Sequence, residues 1–157
     1  MNAAVPILIC ADDFGLSPGV SRAIAGLLAD KRLSATSCMT TAPFWGETAP
    51  LLKPLAGSVA IGLHLTLTTL PPHPSLPDLV KRAYLGGLKR TEIDAEVNRQ
   101  IDAFETAMGR KPDFLDGHQH VHVLPTIRDA VLSVMTARIK GAWLRDVWEP
   151  LPALFRH

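Results

Sequence analysis

Residues 116–122 read DGHQHVH and contain three of the six histidines in the chain, at alternate positions. If this segment is extended, His118, His120 and His122 share one face, because side chains two apart on a strand point the same way. Imidazoles on one face suit a metal ion or a polar pocket; the plain alternative is a hydrogen-bonded loop. Histidines this close seldom all reach one ion together with ligands from elsewhere. One or two of them are therefore expected to support a ligand or contact a substrate.

Two other stretches carry groups of the same kind. Asp12 and Asp13 are adjacent carboxylates after an apolar run, where their mutual repulsion and burial are costly unless a cation neutralises them. His64 lies in IGLHLTLT, where strand alternation turns it away from Leu63 and Leu65. Each has an ordinary explanation when taken alone: a helix cap with a solvated neighbour for the aspartates, and a hydrogen-bonded core residue for the histidine.

Together, a carboxylate and two histidines from three strand ends form a ligand set that leaves positions open for water and substrate. The spare aspartate can then act as a general base toward that water. This spacing predicts a metal-dependent hydrolase but does not identify its substrate. Two imidazoles and a carboxylate suit zinc, whereas magnesium would need more oxygen ligands and water.

The elements that must position these residues alternate along the chain. The predicted strands are VPILIC (5–10), SATSCMTT (34–41), SVAIGLHLTLT (58–68), PDFLDGHQHVHV (112–123) and AWLRDVW (142–148). Five strands alternating with helices predict an α/β fold of parallel strands with the helices outside. Because such sheets bind ligands at the carboxyl ends of their strands, whether open or closed into a barrel, the candidate residues are expected to converge there.

The predicted helices follow from apolar spacing and end signals. They run from Ser17 and Pro18 to about Lys31, through PFWGETAPLLKPL (43–55), from Thr91 to Gly109, and through PTIRDAVLSVMTARIK (125–140). Thr91 to Asp94 resembles a capping box with Asp in place of Glu. The stretch from Leu70 to about Arg90 is predicted to be a loop because prolines stand at 71, 72, 74 and 77.

Composition indicates one globular domain over residues 1–157, with 47% hydrophobic and 20% charged residues. A net charge of +1 gives no reason to expect a nucleic acid or an anionic membrane as partner. The apolar N-terminus is too short for a membrane span and has no signal-peptide pattern. Cys10 and Cys38 lie in apolar runs and are expected to be reduced, so a cytoplasmic location is predicted.

Three motifs in order, ADDFGLSPGVSRAI, IGLHLTLT and RKPDFLDGHQHVHVLP, resemble those of the YdjC-like carbohydrate deacetylases. This family includes chitooligosaccharide deacetylases and a branch associated with hopanoid biosynthesis. The resemblance runs from Pro6 to about Pro150. It implies a (β/α) barrel of the polysaccharide deacetylase type that holds one divalent metal ion. It also implies removal of acetyl groups from N-acetylated oligosaccharides or glycoconjugates.

The motifs assign roles to particular positions. By this resemblance the metal, zinc or magnesium, is held by Asp13, His64 and His118. Asp12 becomes the general base, and His120 is expected to take part in catalysis. The residues expected to contact the substrate are His122, Arg145 and Glu149.

This chain also departs from the family pattern in two respects. Family chains are longer, since a full barrel takes about 250 residues, and a later histidine of the family has no counterpart here. An incomplete barrel of about five strands is therefore expected, with impaired catalysis if that histidine is the general acid. Because an open sheet exposes its edges, a homodimer that covers them is expected. A metal-binding relative without catalysis, a hydrolase of another bond such as a phosphoester, and an α/β domain with merely polar histidines stay open.

Overall fold

The computed structural model describes residues 7–147 and contains one five-stranded parallel sheet. Its strands are β1 (Cys10–Phe14), β2 (Ala35–Cys38), β3 (Ala60–Leu65), β4 (Phe114–Gly117) and β5 (Trp143–Leu144). Its helices are α1 (Pro18–Ala29), α2 (Trp45–Thr48), α3 (Leu76–Tyr84), α4 (Arg90–Met108) and α5 (Ile127–Arg138), with 3₁₀ segments at Ala49–Leu55 and His118–Val123. The predicted alternation of parallel strands and helices is confirmed.

The strands pair in chain order, β1-β2-β3-β4-β5. This is the order of neighbouring strands in a (β/α) barrel, whereas a doubly wound sheet reverses its order at a switch point. The sequential order places the carboxyl ends of β1, β3 and β4 along one rim of the sheet. It therefore brings the candidate residues of all three strands to the same side of the molecule.

Alternation along β3 separates the core from the site. Leu63 and Leu65 are fully buried in an apolar cluster with side chains of α4 and α5. His64 points to the other face, where it meets β4. Gly62 on that face is required by packing, because a Cβ there would lie 2.5 Å from the ring of Phe114. The predicted orientation of His64, away from its leucine neighbours, is confirmed.

The first strand begins later than predicted. Ile7, Leu8 and Ile9 are 81%, 50% and 54% exposed, and pairing with β2 starts at Cys10 opposite Ala35. The strand then extends through Phe14, so that the two aspartates lie within it rather than after it. A run on the edge of a sheet has a neighbour on only one side, and this explains why an apolar stretch there need not be buried.

Two expectations between residues 70 and 110 are wrong. Residues 76–84 form α3 instead of a loop, because Ser75 caps the helix by accepting a hydrogen bond from the backbone N–H of Asp78 and Pro77 lies in its first turn, where proline is tolerated. Helix α4 begins at Arg90 with Lys89 as its N-cap, so the predicted capping box at Thr91 does not form. The end of α4 at Gly109, with φ of 70°, is as predicted.

Cys10 and Cys38 are free thiols, in line with the predicted reduced state. Within residues 7–147, no helix combines the length and the apolar character that crossing a membrane requires.

Candidate metal centre

A β-bulge directs the two adjacent aspartates toward the same rim. The pairing of β1 with β2 shifts register between Ala11 and Phe14, and Asp13 has φ of 65°, in the left-handed region. In a regular strand Asp12 and Asp13 would point to opposite faces. A bulge re-aims one side chain, which is a common device next to functional sites. It allows both carboxylates to face the site.

Three side chains from different segments converge at this rim. The Oδ1 atom of Asp13 lies 3.3 Å from Nε2 of His64 and 3.1 Å from Nδ1 of His118. The two imidazole rings are 5.4 Å apart and nearly perpendicular. One ligand atom from each residue lies within 4.8 Å of the other two. These are the three residues to which the family resemblance assigns the metal.

His64 is held from behind by a carboxylate. It lies opposite Asp116 in the parallel pairing of β3 with β4, and its Nδ1 is 2.7 Å from Oδ1 of Asp116. Both residues are buried, at 4% and 1% exposure. The hydroxyl of Ser37 on β2 lies 3.1 Å from the same nitrogen. Because Nδ1 faces a carboxylate, Nε2 is the nitrogen presented to Asp13.

Without a metal, this arrangement retains a proton. Burial lowers the pKa of His64, but hydrogen bonds to Asp116 and Asp13 outweigh it and raise that pKa to about 9. The hydrogen bond between His64 and Asp13 also lowers the pKa of the Asp13 carboxyl. For Asp116, burial acts to raise the pKa, and the bonds from His64 and Arg145 bring it below its ordinary value. A positive charge between carboxylates is thus what this pocket favours.

The histidine segment is not extended, so the condition under which its three imidazoles would share one face is not met. Strand β4 ends at Gly117, and residues 118–123 form a 3₁₀ turn in which Gln119 and His120 have φ of 53° and 59°. Two consecutive residues in the left-handed conformation turn the backbone sharply, so the alternate side chains no longer point the same way. Only His118 therefore reaches Asp13, and its other nitrogen, Nε2, lies 3.1 Å from the hydroxyl of Thr69.

The other two histidines lie apart from Asp13. His122 is 1% exposed, and its Nε2 lies 3.0 Å from the backbone carbonyl of Arg145, to which it donates. Its Nδ1 has no hydrogen-bond partner among the described residues, and burial lowers its pKa. His120 is exposed, with its ring 6.4 Å from that of His122. Glu149, predicted to contact substrate, lies outside the described residues.

Arg145 joins the two remaining carboxylates of the site. Its Nη1 donates to both oxygens of Asp12, at 2.8 and 2.9 Å, and to Oδ2 of Asp116 at 2.9 Å. The Ser37 hydroxyl donates to Oδ1 of Asp12 at 3.1 Å. Asp12, the predicted general base, is therefore fixed at the Nδ1 side of His64, through Ser37. Asp116, Ser37 and Thr69 were not assigned from sequence; only Asp116 had a usable signal, as a carboxylate at the end of β4.

A second group of candidate ligands, Cys10, Asp12 and Asp116, also lies close together. Here Arg145 already supplies the positive charge to both carboxylates. Burial, together with Asp12 and Asp116, raises the pKa of the Cys10 thiol to about 12. A thiol must lose its proton to bind a metal, so these groups fit an ion pair better than a metal site.

The Asp13, His64 and His118 set fits a small divalent ion. In a tetrahedral zinc site with bonds of about 2.0–2.1 Å, ligand atoms stand about 3.3 Å apart. Two of the three separations, those of Asp13 Oδ1 from the two imidazole nitrogens at 3.3 and 3.1 Å, match this spacing, and the two nitrogens lie within 4.8 Å of each other. A carboxylate behind a ligating histidine is also the usual supporting arrangement.

Comparison with known proteins places these residues in a family context. The family described as YdjC-like protein matches residues 6–157. The chitooligosaccharide deacetylase of Serratia marcescens is 34% identical over 132 residues, covering 77% of this chain and 52% of that protein. The chitooligosaccharide deacetylase of Citrobacter koseri is 30% identical over 149 residues, covering 88% of this chain and 58% of that protein. The chain thus spans about half the length of the curated relatives it matches.

A solved structure shares the fold. It is a candidate cellobiose-phosphate cleavage protein from Enterococcus faecalis V583, with a TM-score of 0.71 and 28% sequence identity. The match covers 92% of this chain and 60% of that one. The parallel α/β arrangement is therefore common to both proteins over nearly all of the present chain.

Proposed function

The chain belongs to the YdjC-like family, and on that premise we propose that it forms the site of a metal-dependent carbohydrate deacetylase. The proposed reaction is hydrolysis of the amide bond between an acetyl group and the nitrogen of an amino sugar. The observation that carries this proposal is the convergence of Asp13, His64 and His118 at one rim, in a chain similar to chitooligosaccharide deacetylases.

A divalent ion held by Asp13, His64 and His118 would supply Lewis-acid activation of the acetyl carbonyl and of water. Zinc is the proposed ion, because two of the three donors are imidazole nitrogens; magnesium is the alternative. Asp116 and Ser37 contact Nδ1 of His64 and so keep Nε2 directed at Asp13. The ligand geometry then exists before the substrate arrives.

Asp12 is the proposed general base. Its carboxylate accepts hydrogen bonds from Arg145 and Ser37, which fix its position on the Nδ1 side of His64. A base fixed in this way can accept a proton from the attacking water without first reorienting. Arg145 also belongs to the predicted substrate-contacting group, and it is one-third exposed beside Asp12. The roles assigned to His120 and His122 stay predictions.

The test of this proposal is acetate release from N-acetylated chitooligosaccharides. Metal-free protein should be inactive, and zinc should restore activity in the wild type but not in Asp13→Asn. Asp129→Asn serves as the control, since Asp129 is an exposed acid paired with Arg128 on α5. Zinc binding without acetate release would favour the second candidate function, a metal-binding relative without catalysis.

We also propose that the chain forms a homodimer through its sheet edges. Exposed Ile7, Leu8 and Ile9 run into β1 at one edge. Beside β5 at the other edge lies a groove of about 420 Å³ that includes Leu132, Met135, Ile139, Ala142 and Leu144. Light scattering over a range of concentrations should give the dimer mass, and a monomer throughout would contradict this. A cytoplasmic location stays a prediction.

A further inference from the structure

Thr69 holds an unusual conformation beside a candidate metal ligand. It follows β3 with φ of 70°, in the left-handed region, where a β-branched residue is rarely found. Its side chain is not placed by burial, because the residue is exposed. Its hydroxyl lies 3.1 Å from Nε2 of His118. A strained residue that persists at a site is a reason to look for a function.

The loop that carries Thr69 is fixed by buried contacts. Gln100 of α4, which is fully buried, accepts a hydrogen bond from the backbone N–H of Thr66 at 3.0 Å and donates to its carbonyl at 2.7 Å. Thr68 donates from its hydroxyl to the side-chain oxygen of Gln119 at 2.8 Å. These bonds tie the loop to both the helix and the histidine turn. The position of the Thr69 hydroxyl is therefore set by the fold.

We infer that Thr69 is a positioning residue for the metal ligand His118, an inference that rests on the proposed function. Its hydroxyl accepts a hydrogen bond from Nε2–H of His118. Nδ1 then carries a lone pair that faces Oδ1 of Asp13 at 3.1 Å. Two acceptors this close repel each other unless a cation lies between them, and a metal ion is such a cation.

In this arrangement His64 and His118 have opposite tautomers. His64 directs Nδ1 at Asp116 and presents Nε2, whereas His118 directs Nε2 at Thr69 and presents Nδ1. One histidine is supported by a buried carboxylate and the other by an exposed hydroxyl. A hydroxyl can both donate and accept, so it can accept Nε2–H without adding negative charge to the site.

The test compares zinc affinity and thermal stability in Thr69→Ser, Thr69→Ala and Thr69→Gly, measured by competition with a chromogenic chelator. Loss of a supporting hydrogen bond should weaken zinc binding about 10- to 100-fold in the Ala and Gly variants. Thr69→Ser, which retains the hydroxyl, should stay within about 3-fold of wild type. Thr69→Gly should be at least as thermally stable as wild type, because glycine adopts positive φ without strain.

Lys31→Gly is the matched control for the backbone change. Lys31 also has positive φ, 57°, but it lies at the exposed end of α1. It should change stability in the same direction as Thr69→Gly and leave zinc affinity unchanged. In zinc-loaded protein, two-bond ¹H–¹⁵N spectra should show the proton of His118 on Nε2 and the metal on Nδ1.

Wild-type affinity in Thr69→Gly, a Ser variant as weak as the Gly variant, or zinc on Nε2 of His118 would each overturn the inference while leaving the proposed metal site intact. A wild-type protein that binds no zinc would instead overturn the proposed function, and this inference would fall with it.

Discussion

The two histidines at the centre of the site are placed by two different kinds of structure. His64 lies inside β3, is 4% exposed and is bonded to a buried carboxylate on the neighbouring strand. His118 lies in a turn after β4, next to residues with positive φ, and is bonded to an exposed threonine. Asp13 contacts both. The strand half of the site is thus part of the core, whereas the turn half depends on surface loops.

This difference predicts that the two proposed metal ligands, His64 and His118, contribute equally to metal binding but unequally to the stability of the fold. Strand positions are fixed by packing that the whole sheet shares, so losing one disturbs the fold. Turn positions are fixed by a few side-chain bonds, so they can be changed with little cost to folding.

The largest effect is expected from His64→Ala set against His118→Ala. Both should weaken zinc binding beyond the roughly 100-fold limit of supporting residues. His64→Ala should also cost about 2–3 kcal/mol of unfolding free energy, because Oδ1 of the buried Asp116 loses its hydrogen bond from His64, although Arg145 still binds Oδ2. His118→Ala should cost under about 1 kcal/mol. Urea unfolding of the metal-free proteins gives the comparison, and equal costs would contradict it.

The strand half should also make metal-free stability depend on pH. The pKa of His64 is about 9 in the folded protein, above its ordinary 6.5. Its contribution is therefore fully present below about pH 6.5 and is lost as the pH rises through 9. A loss of about 2–4 kcal/mol is expected over this window. Unfolding of metal-free wild type and His64→Gln at several pH values tests this, and a loss of the same size in His64→Gln would assign it elsewhere.

A smaller effect is expected where the strand passes into the turn. A Cβ at Gly117 would lie 2.7 Å from Nδ1 and 3.1 Å from Cβ of His122, and 3.0 Å from its backbone nitrogen. Gly117→Ala should therefore cost about 1–3 kcal/mol, the usual cost of overpacking. It should also weaken zinc binding by displacing His118. Gly26→Ala on α1, where a Cβ meets nothing within 4 Å, is the control. Unchanged zinc affinity in Gly117→Ala would mean that the turn adapts.

The smallest effect on folding and metal binding is expected from His120→Ala. Its side chain is exposed in the turn, so unfolding free energy should change by less than about 0.5 kcal/mol. Zinc affinity should be unchanged. If the catalytic role implied by the family resemblance is correct, acetate release should nevertheless fall by about 100-fold or more. A fall in zinc affinity instead would show that His120 supports the metal.

The same contrast explains what could be predicted from the sequence. The orientation of His64 followed from alternation with Leu63 and Leu65, and the convergence of the strand ends followed from parallel topology. These features depend on the alternation of side chains along a strand and on the topology of the sheet, and the sequence pattern indicates both.

The position of His118 in the turn depends on backbone conformations and long-range contacts that the sequence pattern does not indicate. The left-handed conformations of Asp13, Gln119, His120 and Thr69 occur at residues other than glycine, so no glycine marks them. The contacts of His118 with Asp13 and Thr69 span 105 and 49 positions. Alternation predicts three histidines on one face of an extended segment, whereas the structure forms a turn that brings only His118 of the three to Asp13. Helix α3 differs from the predicted loop because a proline suits both the first turn of a helix and a loop, and Pro77 here lies in the first turn.

Asp13 is the residue at which both halves meet, and zinc titration of metal-free wild type and Asp13→Asn is the most direct test. About one zinc ion per chain is expected in the wild type and in the Asp129→Asn control. The site should be lost in Asp13→Asn, an isosteric change that removes the negative charge that His64 and His118 both contact. Absence of zinc binding in the wild type, or equal binding in Asp13→Asn, would contradict the central claim.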